Sequence, residues 1–472
     1  MKKYDVAIIG AGTAGLSARK EVAKKTDNYV VIDPGALGTT CARVGCMPSK
    51  VLIQTANDFH RRGVYSELGI NGSEKLAVDY HKVMNHVRSL RDRFVSGVVK
   101  DIASWREGHL VQKRARFIDA NTLDLEGETI KADRIIIATG SRPVMPESWK
   151  QYEKYIIDTD HFFESDELPD TIAIIGLGVI GLELGQALSR LGKKVIGIDR
   201  NQNIGILSDP EMKNYAQEVF AKEFEMHFTG AQIVGEGENG LIVKSGEHKW
   251  EFEKVFLTMG RQPNIDNLGL EDIGVAFNDR KIPVYDSDDY KIKDFPIYLV
   301  GDVNGDRPIL HEAADEGRIA GYNSLRDQKQ CFLRRTHLGI VFSDPNIALV
   351  GKSYQMLRDE EANFVIGKVS FERQGRALVK MKNKGLLHVY AQRKTGKILG
   401  AEIFAPEGEH LAHLLAWAIT LKLSVFDALT LPYYHPVLEE GLRTALRDAA
   451  AQIEKQAPNM EVLRCQDPPV GS

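Results

Sequence analysis

A chain of 472 residues is too long for one compact core, and with 43% apolar and 27% charged residues it has an ordinary globular composition. Its formal net charge of −4 supplies no general basic field, which argues against nucleic acid or an anionic membrane surface as a partner. Four cysteines in this length argue against a disulfide-stapled secreted scaffold.

The first element in chain order is an apolar, β-prone run over residues 4–9. Two lysines precede it, but Gly10, Gly12 and Gly15 interrupt the run and no small-residue cleavage pattern follows, so a cytoplasmic protein is expected. The segment Gly10-Ala11-Gly12-Thr13-Ala14-Gly15 then opens a helix expected over 16–25, and a strand over 29–32 ends at Asp33. This is the setting of a dinucleotide-binding turn. Gly10 permits the tight turn, Gly12 lets the backbone approach a pyrophosphate, and Gly15 lets helix and strand pack closely. The helix N-terminus favours the phosphate charge, and Asp33 stands where it can accept hydrogen bonds from a ribose.

Next comes Gly38-Thr39-Thr40-Cys41-Ala42-Arg43-Val44-Gly45-Cys46-Met47-Pro48-Ser49-Lys50. Five steps along a regular helix rise about 7.5 Å, beyond the roughly 7 Å between Cα atoms that a relaxed disulfide spans. Bridging Cys41 to Cys46 therefore needs distorted backbone, which Gly45 and Pro48 permit or impose, and strained disulfides are the exchangeable ones. A pair of buried free thiols is the plainer alternative. No second Cys/His pair stands nearby at zinc-ligand spacing, so no metal is expected.

The nucleotide pattern then recurs. A strand over 171–175 leads into Gly176-Leu177-Gly178-Val179-Ile180-Gly181, a helix through 191 and a strand over 194–198 that ends at Asp199. In both copies the acidic residue lies 23 positions after the first glycine, which makes an unliganded tight turn a poor explanation. Two dinucleotides on one chain imply electron transfer between a flavin and a nicotinamide. Asp199 would repel a 2′-phosphate and so favours NAD, while Arg200 beside it leaves NADP open.

The C-x4-C-x3-K run resembles the active-site helix of the class I pyridine nucleotide–disulfide oxidoreductases, and the resemblance covers nearly the whole chain. Ala138-Thr139-Gly140-Ser141-Arg142-Pro143 resembles that family's exit from the FAD domain, and Gly260-Arg261-Gln262-Pro263-Asn264 its exit from the NAD domain. Tyr298-Leu299-Val300-Gly301-Asp302 resembles the strand whose Asp binds the flavin's ribityl chain, and Phe342-Ser343-Asp344-Pro345 the opening of the dimerisation domain. The resemblance implies an α/β fold: two Rossmann-like FAD- and NAD(P)-binding domains plus a C-terminal α+β dimerisation domain. The expected boundaries are 1–145 and 267–338 for the FAD-binding and central parts, 146–266 for NAD(P), and 339–472 for dimerisation with a tail.

By the same resemblance FAD would be held by Gly10, Gly12, Gly15, Asp33, Thr40, Lys50, Thr139, Gly140 and Asp302, and NAD by Gly176, Gly178, Gly181, Asp199 and Gly260. Cys41 would be the thiol that exchanges with substrate and Cys46 the charge-transfer thiol against the flavin, with Lys50 paired to Glu183 near it. One residue departs from the family: the second of two glycines before Thr-Cys is Thr39 here, a side chain that crowds the pyrophosphate or pushes the loop outward.

Thiol–disulfide exchange also needs a group to take and return a proton. His435, in Leu431-Pro432-Tyr433-Tyr434-His435-Pro436, with Glu440 five residues on, resembles the family's C-terminal base and its orienting carboxylate. In the family this histidine reaches the cysteines of the other subunit, which implies an obligate homodimer. The second glycine turn and the stretch 371–400, with Gly375-Arg376-Ala377, are most similar to the dihydrolipoyl dehydrogenase branch. The expected reaction therefore passes electrons from a dithiol, which a lipoyl-bearing carrier protein could present, through Cys41–Cys46 and FAD to NAD. Val437 and Glu439 depart from that branch, and Gly441-Leu442 are similar to mercuric reductases. An NAD(P)H-driven reductase of another disulfide or electrophile, mercuric-reductase-like or glutathione-reductase-like, is thus the alternative, and a non-thiol flavoprotein dehydrogenase the reading from another class. The tail has Cys465 alone, which cannot form a vicinal dithiol; residues 464–469 are expected to be disordered. The apolar stretch 411–423 is too short to span a bilayer.

Overall fold

In the computed structural model the described residues are 1–454, 460–467 and 470; the rest of the expected 339–472 segment, with Pro468 and Pro469 of the expected disordered tail, lies outside them. The first apolar run forms the strand Lys2–Ile9, in which Val6 to Ile9 are buried, as a parallel strand covered on both faces requires. Its sheet runs in the order Leu110–Val111, Tyr29–Ile32, Lys2–Ile9, Glu128–Ile137, Thr122–Leu125, Arg116–Asp119. Ile297–Leu299 joins the same sheet in parallel beside Glu128–Ile137. The chain thus leaves this sheet, builds a second unit and returns. Its outward and return crossings, Ser141–Pro143 and Arg261–Pro263, pair antiparallel with each other.

The second sheet is wholly parallel, in the order Glu225–His227, Lys194–Ile198, Thr171–Ile175, Lys254–Leu257, Ile156–Ile157, with a three-stranded antiparallel meander from Gln232 to Phe252 beside it. The third is an antiparallel sheet, Leu338–Val341, Asn346–Gly351, Ile398–Ala405, Leu386–Gln392, Phe364–Ser370, which starts one residue before the expected boundary. The helices Gly408–Thr420 and Glu439–Ala450 pack on it through Leu411, Leu415, Leu442 and Leu446. Its Val341, Ile347 and Phe404 instead enter a core shared with Leu182, Phe220 and Leu52, so the C-terminal sheet is keyed into both the cysteine-bearing and second-nucleotide units. Each such fully buried side chain contributes about 1.5–3 kcal/mol by leaving water. Among the described residues no helix is long and apolar enough to cross a membrane.

The helix expected over 16–25 runs instead over Thr13–Val22. Gly12 is its N-cap, so the helix starts inside the glycine turn, and its first-turn N–H groups face outward there.

Candidate active site

Both glycine turns are built alike. A Cβ on Gly15 would lie 1.9 Å from the Gly10 carbonyl oxygen, and one on Gly181 1.9 Å from that of Gly176, so only glycine allows each helix this close to its strand. At Gly12 and Gly178 a Cβ would meet nothing within 4 Å, which leaves open cradles at the two helix N-termini. Neither Thr13–Val22 nor Val179–Arg190 has a side-chain cap or an acidic residue in its first turn. Free N–H groups and a positive dipole end facing open space fit the pyrophosphate of a dinucleotide.

The two acidic residues also match. Asp33 accepts from Ala11 N at 2.6 Å and from Gly35 N at 3.0 Å; Asp199 accepts from Leu177 N at 2.7 Å and Asn201 N at 2.8 Å. Each carboxylate thereby ties the end of the second strand to its glycine turn, and keeps lone pairs for a ribose. The hydroxyl of Thr139 donates to the Asn264 carbonyl at 2.6 Å, and Asn264 N donates to the Gly140 carbonyl at 2.9 Å. Thr139 and Gly140 therefore join the two crossings. Ser141 Oγ donates to Asp302 Oδ2 at 2.9 Å, which sets that carboxylate at the return of the chain to the first sheet. Gly260 has φ +102°, and Thr40 opens the short helix that holds Cys41.

Between the cysteines the helix is broken. Thr40–Arg43 ends at Val44, Gly45 adopts φ −126° and ψ −111°, and a new helix, Cys46–His60, starts at the second cysteine. The two thiols are unbonded but hydrogen-bonded to each other, Cys41 half-buried and Cys46 exposed. That hydrogen bond raises the Cys41 thiol well above its ordinary range, and burial adds to the effect. The same bond, against burial and with help from Lys50, lowers Cys46 to about 7. The two shifts run in opposite directions, and a nearby ammonium favours the thiolate form of Cys46.

Four residues after Cys46, Lys50 Nζ meets Glu183 Oε2 at 2.8 Å. Glu183 lies on the helix Val179–Arg190, and its other oxygen accepts from Phe342 N at 2.9 Å. The Phe342 ring lies 4.8 Å from Lys50 Nζ, close enough for a cation–π contact. His435 is elsewhere: its Nδ1 is 3.0 Å from Glu440 Oε1, its side chain is 81% exposed, and its contacts among the described residues include neither cysteine. Glu440 also accepts from Val437 N at 3.2 Å, and the hydrogen bond to His435 holds its carboxyl below the usual range.

The family model of the pyridine nucleotide-disulphide oxidoreductases matches residues 4–317, and the model of that family's dimerisation domain matches residues 338–446. This chain belongs to that family. As a pyridine nucleotide-disulphide oxidoreductase it uses FAD and NAD(P), and it works as a flavin-dependent disulfide oxidoreductase. It is 31% identical to a dihydrolipoyl dehydrogenase of Haloferax volcanii over 95% of this chain and 96% of that protein. It is 30% identical to one from Geobacillus stearothermophilus, over 92% of this chain and 93% of that protein. In fold this oxidoreductase is similar to the HOCl-induced flavoprotein disulfide reductase RclA of Escherichia coli, with TM-score 0.83 at 21% identity over 95% of this chain and 99% of that one. It is also similar to LpdA of Mycobacterium tuberculosis, with TM-score 0.82 at 22% identity and the same coverage of 95% and 99%.

Two features of this oxidoreductase were not legible from its motifs. Phe342 reads in the sequence only as the opening of a domain, yet it touches both members of the Lys50–Glu183 pair. Before the tail, Glu461 pairs with Arg443 at 2.8 Å and with Arg447 at 2.7 Å; in the tail, Arg464 N donates to Asp467 Oδ2 at 2.7 Å. Cys465, between those two residues, is a free, exposed thiol.

Proposed function

We propose that this chain is a dihydrolipoyl dehydrogenase: it oxidises a dithiol of the dihydrolipoyl class and reduces NAD, acting through Cys41, Cys46 and FAD as a homodimer. The substrate dithiol becomes a disulfide, losing two electrons and two protons; NAD takes a hydride and one proton goes to solvent. The observation that carries the reading is the Cys41–Cys46 pair on a broken helix, polarised by its own hydrogen bond and backed by the Lys50–Glu183 ion pair. The dihydrolipoyl dehydrogenases it resembles over nearly their full length support the substrate class.

Bound FAD supplies a two-electron carrier between the thiols and the nicotinamide. The first glycine turn and Asp33 would hold its dinucleotide end and Asp302 its sugar-like chain, with Lys50 on the side of Cys46. Cys46 is suited to the inward role because it starts the helix that carries Lys50, whose charge helps to lower its thiol. Cys41, whose thiol the hydrogen bond to Cys46 and burial both raise, needs a base before it can exchange with substrate. His435 would be that base, supplied by a second copy. It is exposed, oriented by Glu440, and flanked in its own loop by the exposed apolar side chains Leu431 and Tyr434. Asp199 favours NAD over NADP by charge. A lipoyl group on a carrier protein fits a thiol pair that must meet its substrate in solution.

Turnover with dihydrolipoamide and NAD, compared with glutathione disulfide, mercuric ion and NADPH, tests the reading. Dihydrolipoamide with NAD should be the preferred pair. No turnover with it, alongside reduction of another disulfide or of mercuric ion by NAD(P)H, would overturn the substrate assignment. Reduction by one dithiol equivalent should also produce a long-wavelength thiolate–flavin band; its absence would remove the thiol mechanism.

A further inference from the structure

The loop that carries His435 is short of internal hydrogen bonds, and one end of it is tethered by a residue far away in sequence. Val437, two residues after His435, has both backbone groups engaged. Its N–H donates to Glu440 Oε2 at 3.2 Å, and its carbonyl accepts from Gln374 Nε2 at 2.7 Å. The other end of the same amide, Gln374 Oε1, accepts from Ala377 N at 2.7 Å and caps the helix Gly375–Lys380. Gln374 itself is fixed by a turn, its N–H donating to the Phe371 carbonyl at 3.1 Å. Phe371 is fully buried, and its ring fits so closely under Gly441 that a Cβ there would lie 2.9 Å away. The turn Phe371–Gln374 therefore grips both members of the dyad. Through the phenyl ring it seats the helix start that holds Glu440, and through the amide it holds the backbone beside His435.

We infer that Gln374 is a positioning residue for the His435–Glu440 dyad, through the hydrogen bond its side-chain amide donates to the Val437 carbonyl. The inference rests on the proposed role of His435 as the base. A catalytic group must be held within tenths of an ångström of its productive place. The His435 ring is 81% exposed, so packing alone does not hold it. The Glu440 carboxylate fixes the ring's Nδ1 side, and the Gln374 tether fixes the height of the backbone from which the ring projects.

Two substitutions separate this from simple helix capping. Gln374→Asn keeps a good N-cap but is too short to reach Val437. Gln374→Glu keeps the capping oxygen and loses the donor, and adds a negative charge beside the dyad. In the FAD-loaded enzyme, turnover of dihydrolipoamide with NAD is measured beside NADH oxidation by ferricyanide, which draws electrons without thiol exchange. His435→Gln is run in parallel. Both Gln374 variants should lose about tenfold in dithiol turnover, the worth of one displaced hydrogen bond, with ferricyanide turnover unchanged. Gln374→Glu should also move the acid limb of the dithiol pH profile upward, since added negative charge favours the protonated imidazole. Wild-type dithiol turnover in both variants, with His435→Gln inactive, overturns the inference. Equal loss of both activities also overturns it, by showing a purely structural role. An active His435→Gln instead overturns the proposed function on which it stands.

Discussion

Lys50 and Glu183 meet at 2.8 Å across the junction of the two nucleotide-binding units, with the carboxylate 3% exposed and the ammonium 31% exposed. Their charges act in opposite directions on the same thiol. After the hydrogen bond from Cys41 and the penalty of burial, Lys50 pulls Cys46 down and Glu183 pushes it up. Lys50→Met should therefore raise Cys46 above about 7, and Glu183→Gln should lower it. The midpoint of the ultraviolet thiolate absorbance in the reduced enzyme, followed against pH, reads both. Shifts of the same sign would show that the pair acts by packing and not by charge.

The hydrogen bond between the thiols is the largest influence on each of them. Cys41→Ala should accordingly raise Cys46 more than Lys50→Met does. Cys46→Ala should bring Cys41 down toward its ordinary value, because the hydrogen bond to Cys46 is the largest cause of its elevation. The same absorbance titration on the two single mutants decides it. If Cys41 stays high without Cys46, burial is the dominant cause and the polarised pair is lost as an explanation.

What could be seen in the sequence depended on how local its cause is. The strands Tyr29–Ile32, Thr171–Ile175 and Lys194–Ile198 stand where short apolar runs between turn residues place them. The break between Cys41 and Cys46 was legible because helix geometry and disulfide reach are incompatible over five residues. The contacts of Phe342 with Glu183 and of Gln374 with Val437 join segments remote in sequence, and no local pattern encodes them. The Glu461 contacts did leave a trace. Arg443 and Arg447 are four apart and share one face of their helix, a ready clamp for a carboxylate such as Glu461.

A second ion-pair node holds the same three units together away from the thiols. Arg190, with its side chain 4% exposed, reaches Glu223 at 2.7 Å, Asp344 at 3.0 Å and Asn57 Oδ1 at 2.6 Å. Burial pushes the Asp344 carboxyl up, but Lys382 and Arg190 outweigh it and hold it below its ordinary value. Arg190→Met leaves two sequestered carboxylates short of a partner and should cost about 3 kcal/mol or more near neutral pH. A depressed carboxylate stabilises the fold above its unfolded value, roughly 3.9, and that contribution fades as pH falls through the lower folded value. The gap in thermal midpoint between wild type and Arg190→Met should therefore be full near pH 7 and shrink below about pH 4. A gap independent of pH would assign the loss to packing.

Thr39 sits at φ +62° and ψ 147°, a left-handed extended conformation that suits glycine and strains a β-branched residue by about 1–3 kcal/mol. Its compensation is weak: Thr39 Oγ1 accepts from Ala42 N at 3.3 Å and caps the short helix that holds Cys41. Replacing such a cap by glycine costs only a few tenths of a kcal/mol, and the freer unfolded chain costs about 0.4–1 kcal/mol more. Relief of strain outweighs both, so Thr39→Gly should stabilise the protein by about 1 kcal/mol. Thr39→Val keeps the strain and loses the cap, and should destabilise by about 1 kcal/mol. Thermal midpoints of the two variants, with and without FAD, measure the balance. A less stable glycine variant would show that the hydroxyl, and not the backbone, governs the entry to the cysteine helix.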